Sequence, residues 1–327
     1  MTELRAGPDR RLQDWIGRSE EVRDTIDLRR AEALHAALDL PGDPPRKGDP
    51  LPPLWRWLYF HTPLRRGDLG RDGAPERGRG LIPPVRPPRR MWVAGRFRFQ
   101  RPLMLGAAAT RLSSVADITR RERRAGLGSV ASLSETRLTL RHEIMTRDGA
   151  AETEEQDILF QHPAARAADA EARLQEARRD EAWRRVWTAD PILLHRFSAL
   201  TANSHRIHYD LDYCRDVEGH DGLVAHPPLL AFLMLTLARD EGVDRSVAAF
   251  EFRLISPVVH TEAFEVCGRP FTGRALAAET GEAPGGGRSK RDAPIREADG
   301  ADLWIRAAAP SGRWSRRLAM VGRLLYR

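Results

Sequence analysis

The chain has 327 residues, enough for about two domains of ~150 residues each. Its composition, with 41% hydrophobic and 30% charged residues, predicts a globular protein. The formal net charge is +7, but acidic residues lie between the arginines throughout, so the charge suits an anionic small ligand and does not indicate a nucleic-acid-binding stripe. Cys214 and Cys267 provide neither a disulfide framework nor a metal motif, and without a signal peptide or a membrane-spanning run we expect a cytoplasmic protein.

The first half of the sequence contains helix, loop and strand patterns in that order. Apolar residues at helical spacing predict a helix within residues 12–40, which PGDPP at 41–45 ends. Residues 41–90 contain more than half of the 23 prolines, which favours a long ordered loop. Alternation in RFRFQ predicts a strand, and residues 134–161 predict a hairpin that turns at Asp148-Gly149.

The second half begins after a charged, alanine-rich segment, residues 164–187, which we interpret as a helical linker. The run ILLHRFSALTA (192–202) predicts a strand, and PPLLAFLMLTLAR (227–239) predicts an apolar helix. Further strands are expected at 247–256, 263–271 and 301–310, with a mobile insertion at 279–300.

Both halves therefore offer an apolar helix and several antiparallel strands. A helix that is apolar all round is buried, and a sheet wrapped around it would bury it. Two such units could pair their sheets edge to edge. We therefore expect an α+β protein with halves at 1–163 and 188–327 on either side of the linker.

The strongest candidate site is FSALTANSHRIHYD (197–210), followed by GLVAHPPLLAFLML (222–235). Asn203 and His208 are five residues apart, so a regular strand or helix would point their side chains in different directions. They converge only if the chain loops between them. The alternatives are surface histidines, core histidines, or half of a metal site, although no ligand set at a familiar spacing completes one.

This motif resembles that of the MaoC-like, hot-dog-fold enoyl-thioester hydratases, whose loop reads Asp-x-Asn-Pro-x-His before a central helix. The likeness extends over nearly the whole chain. Within the family, the chain resembles two subgroups equally, the mesaconyl-CoA hydratases and the type 2 hydroxyacyl-thioester dehydratases. It is carried by DWIGRSE (14–20), PLWRWLYF (53–60), LGRDG (69–73), LIPPVRPPRRMW (81–92), EEQDILF (154–160) and residues 197–210.

The resemblance implies a double hot dog, with two antiparallel sheets each wrapped around a central apolar helix. Its N-terminal half lacks catalytic residues and its C-terminal half carries the motif. His208 matches the motif's histidine, the general base. Asn203 replaces the general motif's aspartate, although asparagine is usual in the subgroup, and would hold the water by hydrogen bonds. Asp210 or Tyr209 would carry the second proton.

Two further histidines, His205 and His226, are expected to support this site. In hot-dog enzymes the thioester oxygen binds at the N-terminus of the central helix, but Pro227 and Pro228 replace the relatives' Gly-Pro and cannot donate. Leu229 is then the preferred backbone donor, with the N–H of Leu230, His226 or Ala225 as alternatives. Arg206, Arg89 and Arg90 are candidates to bind CoA phosphates or a substrate carboxylate, or to be solvated; Trp55 and Trp57 are expected in the core.

The leading hypothesis is reversible hydration of an enoyl-CoA, most of all a small branched dicarboxylic one (mesaconyl-CoA to citramalyl-CoA). The alternatives are a 3-hydroxyacyl-thioester dehydratase of fatty acid metabolism and a degenerate acyl-CoA-binding protein. A thioesterase is disfavoured because residues 226–239 contain no carboxylate. Beyond the acyl-CoA substrate we expect no cofactor, metal, nucleic acid or membrane partner, and a homodimer is compatible with the sequence.

Overall fold

The computed structural model describes residues 10–124, 132–162, 175–241, 245–272, 299–307 and 317–327. Within these ranges ten strands form one antiparallel sheet: β1 (Ser19–Thr25), β2 (Arg89–Phe99), β3 (Ala108–Arg124), β4 (Ser132–Thr146), β5 (Gly149–Gln161), β6 (Trp183–Thr188), β7 (Val247–Leu254), β8 (Ala263–Phe271), β9 (Gly300–Ala307) and β10 (Arg317–Tyr326). The helices of the same ranges are α1 (Arg10–Gln13), α2 (Leu28–Ala37), α3 (Pro191–Leu200) and α4 (Pro227–Asp240).

The order of the strands shows that the molecule consists of two similar halves. The sheet runs β1-β3-β4-β5-β2-β7-β10-β9-β8-β6, so each half has the same order and the two orders meet head to head at β2 and β7. At this junction Phe97 lies opposite Phe250 and Gly95 opposite Phe252. The predicted edge-to-edge pairing of two antiparallel sheets is confirmed.

Helix α4 is the central helix of the second half. Its residues Leu229–Ala238 are all buried, and the helix contacts β6, β8, β9 and β10. This burial on every side explains why its sequence lacks a polar face. The same place in the chain order of the first half is taken by residues 41–88, which contain the short 3-10 turn Trp55–Leu58 instead of a long helix. The central apolar helix expected in the first half was therefore wrong, because prolines recur through this segment and interrupt helical hydrogen bonding.

An aromatic cluster in the core joins the two halves. Trp57 stacks on Phe232 of α4 at 5.2 Å between ring centroids, and it meets Trp92 edge-on at 4.9 Å. Phe232 in turn packs edge-on against Phe197 of α3 at 5.6 Å. The predicted core positions of Trp55 and Trp57 are confirmed, since Trp55 is also buried.

Two of the predicted elements were wrong. The strand expected at 192–202 is helix α3, because Asp190 caps it by accepting from Ile192 N and Leu193 N, and Pro191 fits the first helical turn. The helical linker is contradicted at its end, where residues 183–188 form β6; residues 163–174 lie outside the described residues.

Of the other elements predicted from the sequence, some are confirmed and one strand was missed. Helix α2 and the long loop before β2 are confirmed, but the sequence analysis missed β1 (SEEVRDT). None of its residues is buried, so it lacks the apolar alternation of a half-buried strand. The insertion predicted at 279–300 falls outside the described residues up to 298. No helix in the described ranges is long and apolar enough to cross a membrane.

Candidate active site

The turn after α3 brings the polar residues of the motif together. The chain reverses at Ala202, whose φ is +49°, and the Asn203 N–H donates to Ser198 O at 2.9 Å. The Asn203 side-chain oxygen then accepts from His205 N at 3.1 Å. This local turn leads directly into the 3-10 turn Arg206–His208. The motif is therefore a loop, as its spacing predicted.

His208 is held beneath the strand-like segment that precedes α4. Val224 N donates to Ile207 O at 2.8 Å, and His208 Nδ1 lies 2.7 Å from Val224 O. A carbonyl oxygen only accepts, so Nδ1 carries the proton and Nε2 keeps its lone pair. Burial, followed by the nearby His205, lowers the pKa of His208 to about 3. The side chain is therefore a neutral base over the physiological pH range.

His226 lies parallel to His208, with 3.5 Å between the ring centroids. It is fully buried, and its Nε2 lies 2.8 Å from Ser198 Oγ, while Nδ1 has no hydrogen-bond partner in the described part of the chain. Burial first, and then His208 and His205, lower the pKa of His226 well below its ordinary value. Two neutral imidazoles thus stack at the base of the site.

His205 completes the cluster of three histidines. Its ring meets that of His208 edge-on at 5.7 Å. Burial, followed by the positive charge of Arg90, lowers the pKa of His205 to about 3. Arg90 therefore lies close enough to the cluster to act on it electrostatically.

The N-terminus of α4 begins at the stacked histidines. His226 is its N-cap residue, and Pro227 and Pro228 occupy the first turn without an N–H to donate. Leu230 N donates to His226 O at 3.1 Å, whereas the Leu229 N–H has no backbone acceptor among the described residues. Leu229 thus provides the first N–H of the helix that remains for a ligand, at the positive end of the helix dipole.

Each of the three candidate arginines is already paired with a carboxylate. Arg206 binds Asp210 through Nε and Nη2, at 2.9 and 2.7 Å. Arg89 Nε lies 3.0 Å from Glu218. Arg90 donates to the Asp72 carboxylate through Nε and Nη2, at 2.8 and 3.2 Å. These arginines organise the loops around the site, and a substrate anion would have to share them with their carboxylates.

Tyr209 and Asp210 occupy the outer side of the motif loop. Tyr209 is 46% exposed, and its hydroxyl donates to Ser204 O at 3.0 Å. The N–H of Tyr213, followed by the Arg206 guanidinium, lowers the pKa of Asp210. A carboxylate stabilised in this way is poor at carrying a proton at neutral pH.

A loop of the first half docks on the motif loop of the second. Asp72 O accepts from Arg206 N at 2.8 Å, and Ser204 Oγ donates to Gly73 O. Asp72 is itself buried beside Arg90. The site is therefore assembled from both halves. LGRDG (69–73) carries part of the family likeness, but its position at the site was not predicted from the sequence.

The contact at Gly73 can be tested by adding a single methyl group. Gly73 has φ +79°, and a Cβ there would lie 2.1 Å from Ser204 O. We expect Gly73→Ala to displace the motif loop and so to lower any turnover at this site at least tenfold. Gly78→Ala is the matched control, because Gly78 has φ +81° but its Cβ would meet only Pro84, at 3.6 Å. Equal losses in both variants would mean that backbone strain alone is responsible.

The described residues contain no cluster of three or more histidine, cysteine, aspartate or glutamate side chains able to hold a metal ion. What they do provide is a buried neutral imidazole with a free lone pair, an amide side chain in the same loop, and a helix N-terminus. This arrangement can remove a proton from water while stabilising negative charge on a carbonyl oxygen.

Comparison with known proteins agrees with this chemistry. The family model of hydroxyacyl-thioester dehydratase type 2 matches residues 54–260. The mesaconyl-C(4)-CoA hydratase of Chloroflexus aurantiacus is 40% identical over 256 residues, which are 78% of this chain and 88% of that protein. The mitochondrial hydroxyacyl-thioester dehydratase type 2 of Schizosaccharomyces pombe is 36% identical over 84 residues, which are 25% and 28% of the two chains.

Solved structures agree on the fold. A MaoC-like dehydratase from Phytophthora capsici superposes with a TM-score of 0.59 at 12% identity, covering 98% of this chain and 99% of that one. A Mycobacterium tuberculosis protein described as a double hot dog gives 0.54 at 14% identity, covering 98% of both chains. The predicted double hot-dog fold is confirmed.

Proposed function

We propose that this chain, which belongs to the hydroxyacyl-thioester dehydratase type 2 family and is a hydro-lyase, adds water reversibly to an enoyl-CoA thioester. The observation that carries the proposal is the hydrogen bond from His208 Nδ1 to Val224 O. It fixes the tautomer whose Nε2 can accept a proton from water, in a buried position that keeps the ring neutral.

The reaction follows from this arrangement. The water oxygen bonds to C3 of the enoyl group while His208 Nε2 takes one water proton, and the π electrons move to the thioester oxygen. The N–H of Leu229 and the positive end of α4 stabilise that oxygen. When the electrons return, a new C–H bond forms at C2. We assign the return of this proton to the same imidazole, because Asp210 and Tyr209 lie on the outer side of the loop.

Asn203 is assigned to hold the water and shape the loop. Its oxygen is occupied by His205 N, so the side-chain NH₂ is the group left to meet a water or substrate oxygen. We expect Asn203→Ala to lower turnover about tenfold without adding a limb to the pH–rate profile, since an amide does not titrate. A profile that gains or loses a limb in the variant would show that Asn203 supports a titrating group.

The substrate we infer is a small branched dicarboxylic enoyl-CoA of the mesaconyl type. The support is the 40% identity over most of both chains to a protein of that named activity, together with Arg90, whose charge acts on the histidine cluster. The test compares purified protein on mesaconyl-CoA and crotonyl-CoA, following loss of the conjugated double bond by absorbance. Turnover on crotonyl-CoA alone would reject this substrate, and turnover on neither would favour a protein that only binds acyl-CoA.

The second candidate is a 3-hydroxyacyl-thioester dehydratase acting on fatty acyl chains. It is favoured by the family match over residues 54–260 and by the likeness to the S. pombe protein of that name. The same assay with medium-chain enoyl-CoA substrates decides between the two. A kcat/KM that rises with chain length and exceeds that for mesaconyl-CoA would establish this alternative.

A further inference from the structure

The carbonyl that fixes the ring proton of His208 belongs to a short extended segment, residues 223–225. Val224 pairs with Val259 as an isolated antiparallel bridge, at the connection between β7 and β8. In an antiparallel pair the backbone groups of successive residues point to opposite sides of the strand. The backbone groups of Val224 therefore face the motif loop, while those of its two neighbours face the β7–β8 connection.

The hydrogen bonds of this segment follow the alternation. Towards the motif loop, Val224 N donates to Ile207 O at 2.8 Å, and Val224 O accepts from His208 Nδ1 at 2.7 Å. On the opposite side, Ala225 N donates to Val258 O at 2.9 Å. The position of the Val224 carbonyl is therefore set by how its neighbours are bound to the β7–β8 connection.

His260 binds the other neighbour of Val224 through both its backbone and its ring. His260 N donates to Leu223 O at 2.8 Å, and Leu223 N donates to His260 Nδ1 at 3.0 Å. In a regular antiparallel pair the second bond would go to the backbone carbonyl of His260. The chain turns at residues 260–261, and the imidazole supplies the acceptor in place of that carbonyl.

This hydrogen bond also defines the tautomer of His260. A backbone N–H only donates, so Nδ1 of His260 accepts and the ring proton lies on Nε2. Burial, followed by the positive charge of Arg215, lowers the pKa of His260, which keeps the ring neutral and able to accept. His260 and His208 are therefore neutral imidazoles with opposite tautomers.

An ion pair braces the turn that carries His260. Val259 N donates to Glu262 Oε1 at 3.1 Å. Arg317 of β10 lies 2.7 Å from the Glu262 carboxylate and donates to Pro257 O, also at 2.7 Å. The imidazole of His260 thus connects a braced turn to the segment whose carbonyl orients the proposed base.

Gly222 allows the ring of His260 to approach the backbone this closely. A Cβ at Gly222 would lie 2.6 Å from Nδ1 and 2.8 Å from Cε1 of His260, which is too close for any real Cβ. The φ of Gly222 lies outside the left-handed region, so an alanine there would be strained by the ring and not by its backbone. Such an alanine would push the imidazole away from Leu223 N.

We propose that His260 is a positioning residue for hydration: its Nδ1 holds Leu223 N and thereby keeps the Val224 carbonyl where it orients His208. The inference rests on the proposed function, because it takes His208 as the base. His260 acts on that base and not on the substrate. Its loss should therefore lower kcat and leave KM unchanged.

Three substitutions of His260 test the role of Nδ1, using whichever of mesaconyl-CoA and crotonyl-CoA is turned over. We expect His260→Ala to lower kcat about tenfold with KM within about twofold, because a misplaced catalytic group slows chemistry without weakening binding. His260→Asn should restore kcat to within about threefold, since Asn Oδ1, like His Nδ1, is an acceptor bonded to Cγ. His260→Gln carries the same amide one methylene further out, so it is the matched control and should resemble His260→Ala.

Gly222→Ala tests the same contact from the opposite side. It should lower kcat about as much as His260→Ala does. In the His260→Ala background it should cost nothing further, because the ring that it displaces is absent. Gly67→Ala is the control, at an exposed glycine where an added Cβ would have no atom within 4 Å, and it should leave kcat unchanged.

Long-range proton–nitrogen NMR spectra of the histidine rings test the positioning without turnover, because they distinguish the two tautomers. We expect the signal of His208 Nδ1–H to shift or disappear in the Ala and Gln variants of His260 and to persist in the Asn variant. An unchanged signal in His260→Ala, an unchanged kcat in that variant and in Gly222→Ala, or equal kcat values in the Asn and Gln variants would overturn the proposal.

Two complications leave the test decisive. Should His260→Ala not fold, the comparison of His260→Asn with His260→Gln decides, since both keep a polar amide. Should no enoyl-CoA be hydrated, the proposed function fails, and the His208 signal alone decides whether His260 positions that ring.

Discussion

His208→Ala is expected to lower the turnover of enoyl-CoA hydration by ~100- to 10,000-fold, the usual range for loss of a general base. The proposed base is this buried imidazole, whose Nδ1 proton is fixed on Val224 O. Acyl-CoA binding should survive, because the substitution removes no cation. Absorbance of the conjugated thioester measures the first effect and calorimetry with a saturated acyl-CoA measures the second.

The pH profile offers an independent check on the same residue. A lowered pKa keeps a base deprotonated at more acidic pH, and burial lowers that of His208 to about 3. The kcat/KM of the unaltered enzyme should therefore stay flat from pH 8 down to pH 5, without the limb near ~6.5 that an exposed histidine produces. His195→Ala, at an exposed histidine of α3, is the matched control for His208→Ala and should leave turnover and its pH profile unchanged. Near-normal turnover of His208→Ala would show that the base lies elsewhere.

The fold was predictable where the sequence pattern extends over a whole element. Helix α4 is apolar at every buried position except Thr236, so it was predicted. The hairpin of β4 and β5 was predicted too, although it turns at Arg147-Asp148, one residue before the expected pair. Helix α3 was mistaken for a strand because ILLHRF is a short apolar run, which periodicity alone does not assign. The Asp190-Pro191 pair at its start was the available signal.

The site was predictable only in its local part. Asn203, His205 and His208 lie within one loop, so their grouping follows from sequence proximity. The docking of Gly73 on Ser204 and the pairing of Arg90 with Asp72 join distant parts of the chain. Such contacts depend on tertiary packing, between the two halves for Gly73 and within the first half for Arg90, and no local pattern encodes them. The stacking of His226 on His208 is of the same kind.

These pairings change which arginine is expected to recognise a substrate carboxylate. Removing Arg90 would leave Asp72 buried without its cation, which disturbs the docked loop and affects every substrate. Arg77 lies near Arg90 and Asp72, and its Nη2 donates to Pro88 O. Its Nε is buried without a hydrogen-bond partner in the described part of the chain. Burial, followed by the charge of Arg90, lowers the pKa of Arg77, so an anion placed between the two would gain from both cations in competition with Asp72 and Glu218.

Arg77→Met is therefore expected to lower kcat/KM on the dicarboxylic substrate about tenfold, because a half-buried cation is partly screened by solvent and is worth less than a fully buried one. Crotonyl-CoA has no second carboxylate, so its kcat/KM should change less than threefold. Arg79→Met, at an exposed arginine paired with Asp68, is the matched control and should affect neither substrate. Equal losses on mesaconyl-CoA and crotonyl-CoA would assign Arg77 to the CoA moiety or to the loop, and a fatty enoyl thioester would then be the better substrate hypothesis.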